Sequence, residues 1–373
     1  MKIAFLEYYH KYRNTGDFNF VNAWFNLLGR RHKVDWVQLK DLDDYSIELG
    51  AKTVYQVDIN SYDIVIMNDL YESRKMYIKD CAFQLFLDYI EKNVKTKKLY
   101  ICHQRTFPKE QSQIDFYNMS LLVSKCDSVL TYVPEYFRTH KDVHKITFDL
   151  FYKPVEQKCE LSSKGRPIDL KYFNNLVPWK NTKEFLDFAE VNKEQLSYIV
   201  MKGYYPETSL LDKENFNNII RNDERVIWGE YYDSGIRQKG FIWLYPRIED
   251  RTRVFLEYID SKFSWQYTAP LDNSTMHEIP WGLEGAALES ILYGCIPILP
   301  KKSENYDVLG KPLKSYDCCV FIDNEKDTEQ IKEAISRYNV LFENCRKFSD
   351  KLLKDSNRYI NSISKVLQEI IQQ

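Results

Sequence analysis

The chain has 373 residues, too many for one ordinary domain and enough for two. Apolar residues make up 44% and charged residues 28%, which excludes wholesale disorder, and only 12 Gly and 12 Pro exclude collagen-like or linker-dominated architectures. Lys plus Arg number 52 against 54 Asp plus Glu, a net charge of −2, so any nucleic-acid contact must rest on a local basic groove.

Short apolar runs alternate with longer helical patterns, the signature of an α/β protein with parallel sheets. In the first half the expected strands are 2–6, 33–39, 63–68, 98–103, 128–132 and 146–151, with helices over 18–28 and 76–93 between them. A polar stretch bounded by prolines, from Tyr152 to Pro167, reads as a linker. The alternation then restarts, with strands over 169–173, 197–201, 225–228, 263–267, 295–299 and 318–322, and helices over 182–190, 251–261 and 283–293. Beyond Asp323 the chain reads as helical to Gln373. Two successive six-strand halves imply two Rossmann-like domains facing across a cleft, residues 1–164 and 165–340. Residues 341–373 are expected to be C-terminal helices crossing back onto the first domain. Ligands in such sheets sit beyond the carboxyl ends of the strands.

The eight cysteines show no CxxC spacing and several lie in apolar runs, so reduced, buried thiols are expected. The apolar run at Ile3–Leu6 is too short for a signal peptide, and no stretch approaches the roughly 20 apolar residues of a membrane span. A cytoplasmic protein without membrane contact is the expectation.

Three motifs fall beyond expected strand ends. The loop from Tyr8 to Asp17 carries Gly16 at a strand-to-helix junction, where backbone amides can approach a phosphate; a plain turn is the alternative. There is no GxGxxG, which disfavours a dehydrogenase-type dinucleotide fold. The segment Leu176-Val177-Pro178-Trp179-Lys180-Asn181 puts a lysine just before a helix, where its ammonium can neutralise a diphosphate leaving group; a solvated helix-start lysine is the alternative. The most informative run is Gly282-Leu283-Glu284-Gly285 through Leu288-Glu289 to Gly294-Cys295-Ile296-Pro297. It is a helix with two carboxylates, closed by glycine before a strand. A carboxylate facing the cleft can accept both hydroxyls of a ribose, and Glu284, near the helix start, can reach the sugar end of a ligand. Two exposed glutamates on an amphipathic helix are the bland reading. No metal-ligand cluster and no Ser/His/Asp or Cys/His ordering stands out.

Together these pieces resemble a GT-B nucleotide-sugar glycosyltransferase, and more narrowly the T-even bacteriophage DNA α-glucosyltransferases, which modify 5-hydroxymethylcytosine. The resemblance is carried by Cys102-His103-Gln104, Trp179-Lys180, Val200-Met201-Lys202-Gly203, Phe255-Leu256-Glu257 through Phe263-Ser264-Trp265-Gln266-Tyr267, Leu283-Glu284 with Leu288-Glu289, Gly294-Cys295-Ile296-Pro297 and Pro312-Leu313-Lys314-Ser315-Tyr316-Asp317. It covers most of residues 100–325 and the first 95 only loosely. It implies that residues 1–164 form an acceptor-side domain and residues 165–340 bind a nucleotide-sugar. It further implies that Lys180 contacts the donor diphosphate, Glu289 the uridine ribose and Glu284 the transferred sugar or phosphate. Met201 and Gly203 would line the nucleotide pocket with Gly16, Asn175 and Trp179, and His103 would sit over the donor sugar. Gln104 stands where the family has an aspartate, and Asn174 or Asn175 where it has an arginine.

The implied activity is transfer of a sugar from a UDP-sugar to a hydroxymethylated pyrimidine in double-stranded DNA, with retention at the anomeric carbon. His103, Gln104, Lys180 and Glu284 would be the catalytic set, with no cofactor or metal. The acceptor base would have to be flipped out of the duplex. Lys11, Arg13, Arg105, Lys109, Arg237 and Lys239, together with Arg247 and Arg251, are the candidate phosphate contacts, each of which taken singly reads first as a solvated surface charge. A monomer is expected. The alternative is a GT-B transferase acting on a cell-surface glycan or teichoic acid.

Overall fold

A computed structural model describes residues 1–8, 24–42, 46–47, 50–68, 82–102, 106–108, 114–131, 134–145, 161–175, 181–204, 226–228, 242–245, 254–267, 276–278 and 285–373. The chain divides into two compact units. Met1–Tyr152, Asp272–Ile279 and Lys354–Gln373 make the first; Lys153–Leu271 and Pro280–Leu353 make the second. The boundaries read from the sequence fall at 164 and 340, so the two divisions differ in the linker, in the short return at 272–279 and in where the last helix changes unit.

The first unit contains β1 (Lys2–Glu7), β2 (Lys33–Gln38), β3 (Lys52–Thr53), β4 (Ile64–Asn68), β5 (Lys98–Cys102), β6 (Thr106–Pro108), β7 (Ser128–Thr131) and β8 (Val143–Lys145). All but β6 form one parallel sheet in the order β3-β2-β1-β4-β5-β7-β8. Among the described residues the sheet therefore has seven strands where six were expected. The two-residue β3 is too short to leave a periodic signal, and β8 stands just before the expected strand 146–151, which lies outside the described residues. Ile3 to Glu7 are buried without a break, as a parallel strand covered on both faces requires. The helices Ala82–Asn93 and Ile114–Ser124 pack Phe86, Ile90, Leu122 and Val123 into a core with Ala4, Leu6, Val65, Met67 and Tyr100. The expected helix over 76–93 is described from Ala82 onward, and that over 18–28 from Trp24.

The second unit holds β9 (Ile168–Asn175), β10 (Ile199–Tyr204), β11 (Val226–Trp228), β12 (Ile242–Tyr245), β13 (Ser261–Trp265), β15 (Ile296–Pro300), β16 (Asp307–Val308), β17 (Lys311–Pro312) and β18 (Val320–Ile322). Among the described residues its main sheet is again parallel and seven-stranded, in the order β11-β12-β10-β9-β13-β15-β18. The strand missed in the sequence is β12; its signal was the run Ile-Trp-Leu-Tyr between Gly240 and Pro246. β14 (Met276–Glu278), from the return segment 272–279, pairs antiparallel with β6 in the first unit. β16 and β17 form a hairpin whose two turn residues, Leu309 (φ 55°) and Gly310 (φ 76°), both take the positive φ that a tight hairpin demands.

Two buried cations organise the amino-terminal end of the second sheet. Lys171, fully buried on β9, donates to Glu257 Oε2, Glu257 O and Asp260 Oδ1, each at 2.8 Å. Arg166 donates to Tyr258 O and Ser261 O at 2.8 Å and to Tyr293 O at 2.6 Å, with its guanidinium over the Phe342 ring. These bonds satisfy orphan carbonyls at the ends of the helices Val254–Ile259 and Gly285–Leu292. The second of those helices closes in a Schellman pattern, Gly294 N to Ile291 O and Cys295 N to Ser290 O, with Gly294 at φ 70°. The long helix Tyr338–Gln372 contributes residues to Leu353 to this unit and from Lys354 to the first. There His32 and Ser364 hydrogen-bond at 2.7 Å. The six described cysteines are free and buried; Cys81 and Cys159 lie outside the described residues. Among the described residues no helix is long and apolar enough to cross a membrane.

Candidate functional site

The carboxyl edge of the second sheet is where its chemistry has to lie. There β9 and β10 end in register, Gly203 opposite Asn174 and Tyr204 opposite Asn175. Met201, expected to line the nucleotide pocket, lies just behind this edge. It pairs with Tyr172 and Leu244 two positions behind the edge, is fully buried, and forms the floor beneath it.

After Asn175 the chain passes through 176–180, which includes Trp179 and Lys180 and lies outside the described residues, and returns at Asn181. Asn181 is buried in the left-handed region (φ 50°, ψ 53°), and its Nδ2 donates to Tyr267 O at 3.1 Å. Thr182 then opens the helix Thr182–Asn192, its hydroxyl 3.0 Å from that of Tyr172. Phe185 and Phe188 of this helix pack on Trp265, with ring centroids 5.8 and 4.9 Å away. The helix start is therefore fixed from both β9 and β13. No side chain of Asn181 caps it, so its first amides keep the donor capacity that draws an anion to a helix N-terminus. Lys180 is the residue immediately before this anchored turn.

The helix Gly285–Leu292 runs back to the amino end of β15, so its start lies toward the carboxyl edge, and Glu284 is the residue before it. Glu284 itself lies outside the described residues. Residues 287, 288 and 290–292 are buried, whereas Ala286 and Glu289 are partly exposed. Three residues apart, they share one face, and Glu289 sits roughly 6 Å along the axis from the helix start.

Beyond β13, Gln266 is buried and its backbone N–H bonds Ile298 O at 3.0 Å. Tyr267 stacks on Trp265 and donates its hydroxyl to Asp323 O at 3.2 Å. Burial raises the Tyr267 phenol above its usual range, reinforced by the carboxylates of Glu325, Glu184, Asp323 and Asp327, so it stays a protonated donor. In the sequence reading Asn181 and Tyr267 stand only inside motif runs and Thr182 only as the start of an expected helix, with no role given to any of the three. The signal available for Tyr267 was its place two residues past a strand.

On the first sheet the carboxyl edge is formed by Gln38, Glu7, Asn68, Cys102 and Thr131 on adjacent strands. His103, Gln104 and Arg105 follow Cys102 directly and lie outside the described residues, as do Lys11, Arg13, Gly16, Lys109, Arg237, Lys239, Arg247 and Arg251. His140 and His144 serve the opposite edge: His140 Nε2 meets Cys126 O at 3.1 Å and His144 Nε2 meets Asp142 Oδ2 at 3.0 Å. Among the described residues no group of three or more His, Cys, Asp or Glu is placed to hold a metal.

Two doubly wound parallel sheets in one chain, each with its polar groups at the carboxyl edge, define the GT-B fold. The sequence matches no protein-family model and no curated protein. The structure is similar to an alpha-glucosyltransferase in complex with UDP and a 13-mer DNA containing an HMU base, with a TM-score of 0.71 and 15% identity over 100% of both chains. It is similar to T4 phage BGT in complex with its UDP-glucose substrate, with a TM-score of 0.60 and 12% identity over 98% of this chain and 99% of that one. It is similar also to AviGT4, a glycosyltransferase involved in avilamycin A biosynthesis, with a TM-score of 0.52 and 12% identity over 98% of each chain. At these identities the likeness is one of fold, and at that level the resemblance read from the motifs is borne out.

Proposed function

We propose that the chain is a UDP-sugar-dependent glycosyltransferase that moves a sugar, glucose first among the candidates, to a 5-hydroxymethylated pyrimidine in duplex DNA. The observation that carries this reading is the end-to-end fold match to a protein solved with both UDP and hydroxymethylated DNA. The match to T4 phage BGT is weaker over nearly the same length, which favours the α-type, retaining outcome.

In this reading the second unit binds UDP and the first receives the acceptor. The bond from the anomeric carbon to the β-phosphate oxygen breaks, and a bond to the hydroxymethyl oxygen forms on the same face. The acceptor proton passes to the departing phosphate oxygen, so no strong protein base is needed. Lys180 and the uncapped start of the helix Thr182–Asn192 meet the growing diphosphate charge. Glu289 accepts the ribose hydroxyls, Glu284 reaches the transferred sugar, and His103 steadies the positive anomeric centre. Gln104 orients the acceptor. Gly203, Asn175 and Trp179, with Gly16, shape the donor pocket. The base leaves its stack at a cost of a few kcal/mol. Lys11, Arg13, Arg105, Lys109, Arg237 and Lys239 hold phosphates, and the net charge of −2 limits the salt dependence to a few such contacts. The enzyme works as a monomer in the cytoplasm, that of the host if phage-encoded, away from membranes. No cofactor enters the scheme, so EDTA is expected to leave turnover intact.

The test is incubation with a panel of UDP-sugars and hydroxymethylcytosine DNA, hydroxymethyluracil DNA, unmodified DNA, or a glycolipid, with UDP release and product mass as readouts. Sugar added only to hydroxymethylated duplexes supports the reading. Transfer only to a lipid or polysaccharide refutes the DNA acceptor and leaves a glycosyltransferase of another class.

A further inference from the structure

Three thiols meet at the amino end of β18, all within the second unit. Cys318 and Cys319 precede that strand, and Cys345 lies on the long helix Tyr338–Gln372. They are 1%, 7% and 0% exposed. The Cys318 sulfur is 3.8 Å from that of Cys319, and its thiol is hydrogen-bonded to those of both Cys319 and Cys345. Cys345 Sγ also donates to Cys318 O at 3.2 Å. The proposed sugar transfer uses none of the three.

Cys318 is the reactive member. Hydrogen bonds from Cys319 and Cys345 hold its thiol below the ordinary range, whereas burial pushes the other two thiols up. The thiolate is the form that attacks an oxidant, and the favoured thiolate here is that of Cys318. A second thiol is already docked against it. Asp317, in the left-handed region at φ 48°, accepts from Arg337 Nη2 at 2.5 Å and from Asn344 Nδ2 at 3.2 Å through its carboxylate. Its carbonyl accepts from Asn344 Nδ2 again at 3.1 Å. These bonds hold the residue before Cys318 against the residue before Cys345. Cys319 is the poorer partner despite its closeness. The peptide joining it to Cys318 is trans, which sets their Cα atoms about 3.8 Å apart, short of the roughly 4.4–6.8 Å that a disulfide spans. Cys345 comes from another element and carries no such restriction.

We propose that Cys318 and Cys345 form a redox modification site, closed to a reversible disulfide by a two-electron oxidant of the hydroperoxide class. The Cys318 sulfur attacks the peroxide and becomes a sulfenic acid; the O–O bond breaks, and the departing oxygen takes the thiol proton and leaves as water or an alcohol. The Cys345 sulfur then attacks the sulfenic sulfur. The S–S bond forms, the S–O bond breaks, and the hydroxyl leaves with the Cys345 proton as water. The peroxide is reduced by two electrons and the thiol pair is oxidised by two. The bond ties the long helix to the start of β18 and closes a loop across 27 positions. It concerns the second unit alone and stands whichever acceptor the enzyme serves.

The test treats the full chain with a few equivalents of hydrogen peroxide and maps its cysteine peptides by mass without reduction. The expected product joins the peptides of Cys318 and Cys345 with loss of two hydrogens, and dithiothreitol reverses it. Closing a loop of this length should raise the melting temperature by about 5–10 °C. Cys345→Ser should abolish the crosslink and the shift together. Cys319→Ser should keep both, which assigns the bond to Cys318. Should either variant fail to fold, the wild-type map decides. A Cys318–Cys319 disulfide, free thiols throughout, or sulfinic acid at Cys318 would overturn the proposal, as would a shift that survives Cys345→Ser.

Discussion

Gly294→Ala tests whether the helix carrying Glu289 is held as the structure indicates. The residue has φ 70°, and an L-residue in that region costs about 1–2 kcal/mol. A methyl group there would lie 2.5 Å from Phe342 Cε2 and 3.0 Å from Arg166 Nη2. Neither neighbour can retreat cheaply: Phe342 is buried, and Arg166 is tied to four carbonyls. Overpacking of this kind costs about 1–3 kcal/mol. The reduced entropy of the unfolded alanine chain returns about 0.4–1 kcal/mol. The net expectation is a loss of about 2–4 kcal/mol, read as a shift in the urea midpoint. Gly310→Ala is the internal control. It has the same backbone demand at φ 76° but nothing within 4 Å, so its cost should stay near 1 kcal/mol. Equal losses in the two variants would mean that the contact with Phe342 and Arg166 does not hold the helix end.

Glu289→Ala should weaken UDP about tenfold or more by removing charge-assisted bonds to the ribose, each of which contributes about 1.5–3 kcal/mol; an unchanged Kd in calorimetry would exclude this residue. Lys171→Met should cost about 3–5 kcal/mol, since it strands the Glu257 and Asp260 carboxylates, and pairing it with Glu257→Leu should recover part of that loss in denaturant titrations. For Asp35, burial pushes the carboxyl up, but hydrogen bonds from Lys52 at 2.7 Å and Tyr62 at 2.8 Å pull it further down, to a net value below the usual range. Its stabilisation is therefore complete above the ordinary carboxylate pKa of about 4 and disappears as pH falls through the lower folded value. Asp35→Asn should melt well below wild type at pH 7 and near it at pH 2; a gap that does not close in acid would refute the assignment.

The fold was legible where burial imposes a pattern. Lys2–Glu7 and Ile296–Pro300 are buried along nearly their whole length, and such runs can hardly be anything but interior parallel strands. In the two main parallel sheets the strands that escaped were β3, with two residues, and β12, with four. Edge and near-edge strands have fewer neighbours to satisfy and so need less patterned sequence. The return of 276–278 to pair with β6 left no signal, because a three-residue antiparallel contact between segments 170 residues apart is decided by tertiary placement alone. The buried cations were invisible for a related reason. Lys171 sits in a strand reading Ile-Asp-Leu-Lys-Tyr-Phe, and the alternation marks it as a charged solvent-facing position. Only the carboxylates of Glu257 and Asp260, some 90 positions away, turn that face inward.

The site divided along the same physical line. Its motifs announced themselves through glycines and helix starts, which are local events: Gly294 ends one helix, and Thr182 begins another two residues after Lys180. What no local pattern could convey was which polar residues the sheet register would bring together. Gly203 opposite Asn174, and Glu7 opposite Gln38, are neighbours only because parallel strands separated by some 30 residues end level with each other. A carboxyl edge collects such pairs because strand ends are the one part of a parallel sheet not required to be apolar. Polar residues can therefore accumulate there at small cost to the core.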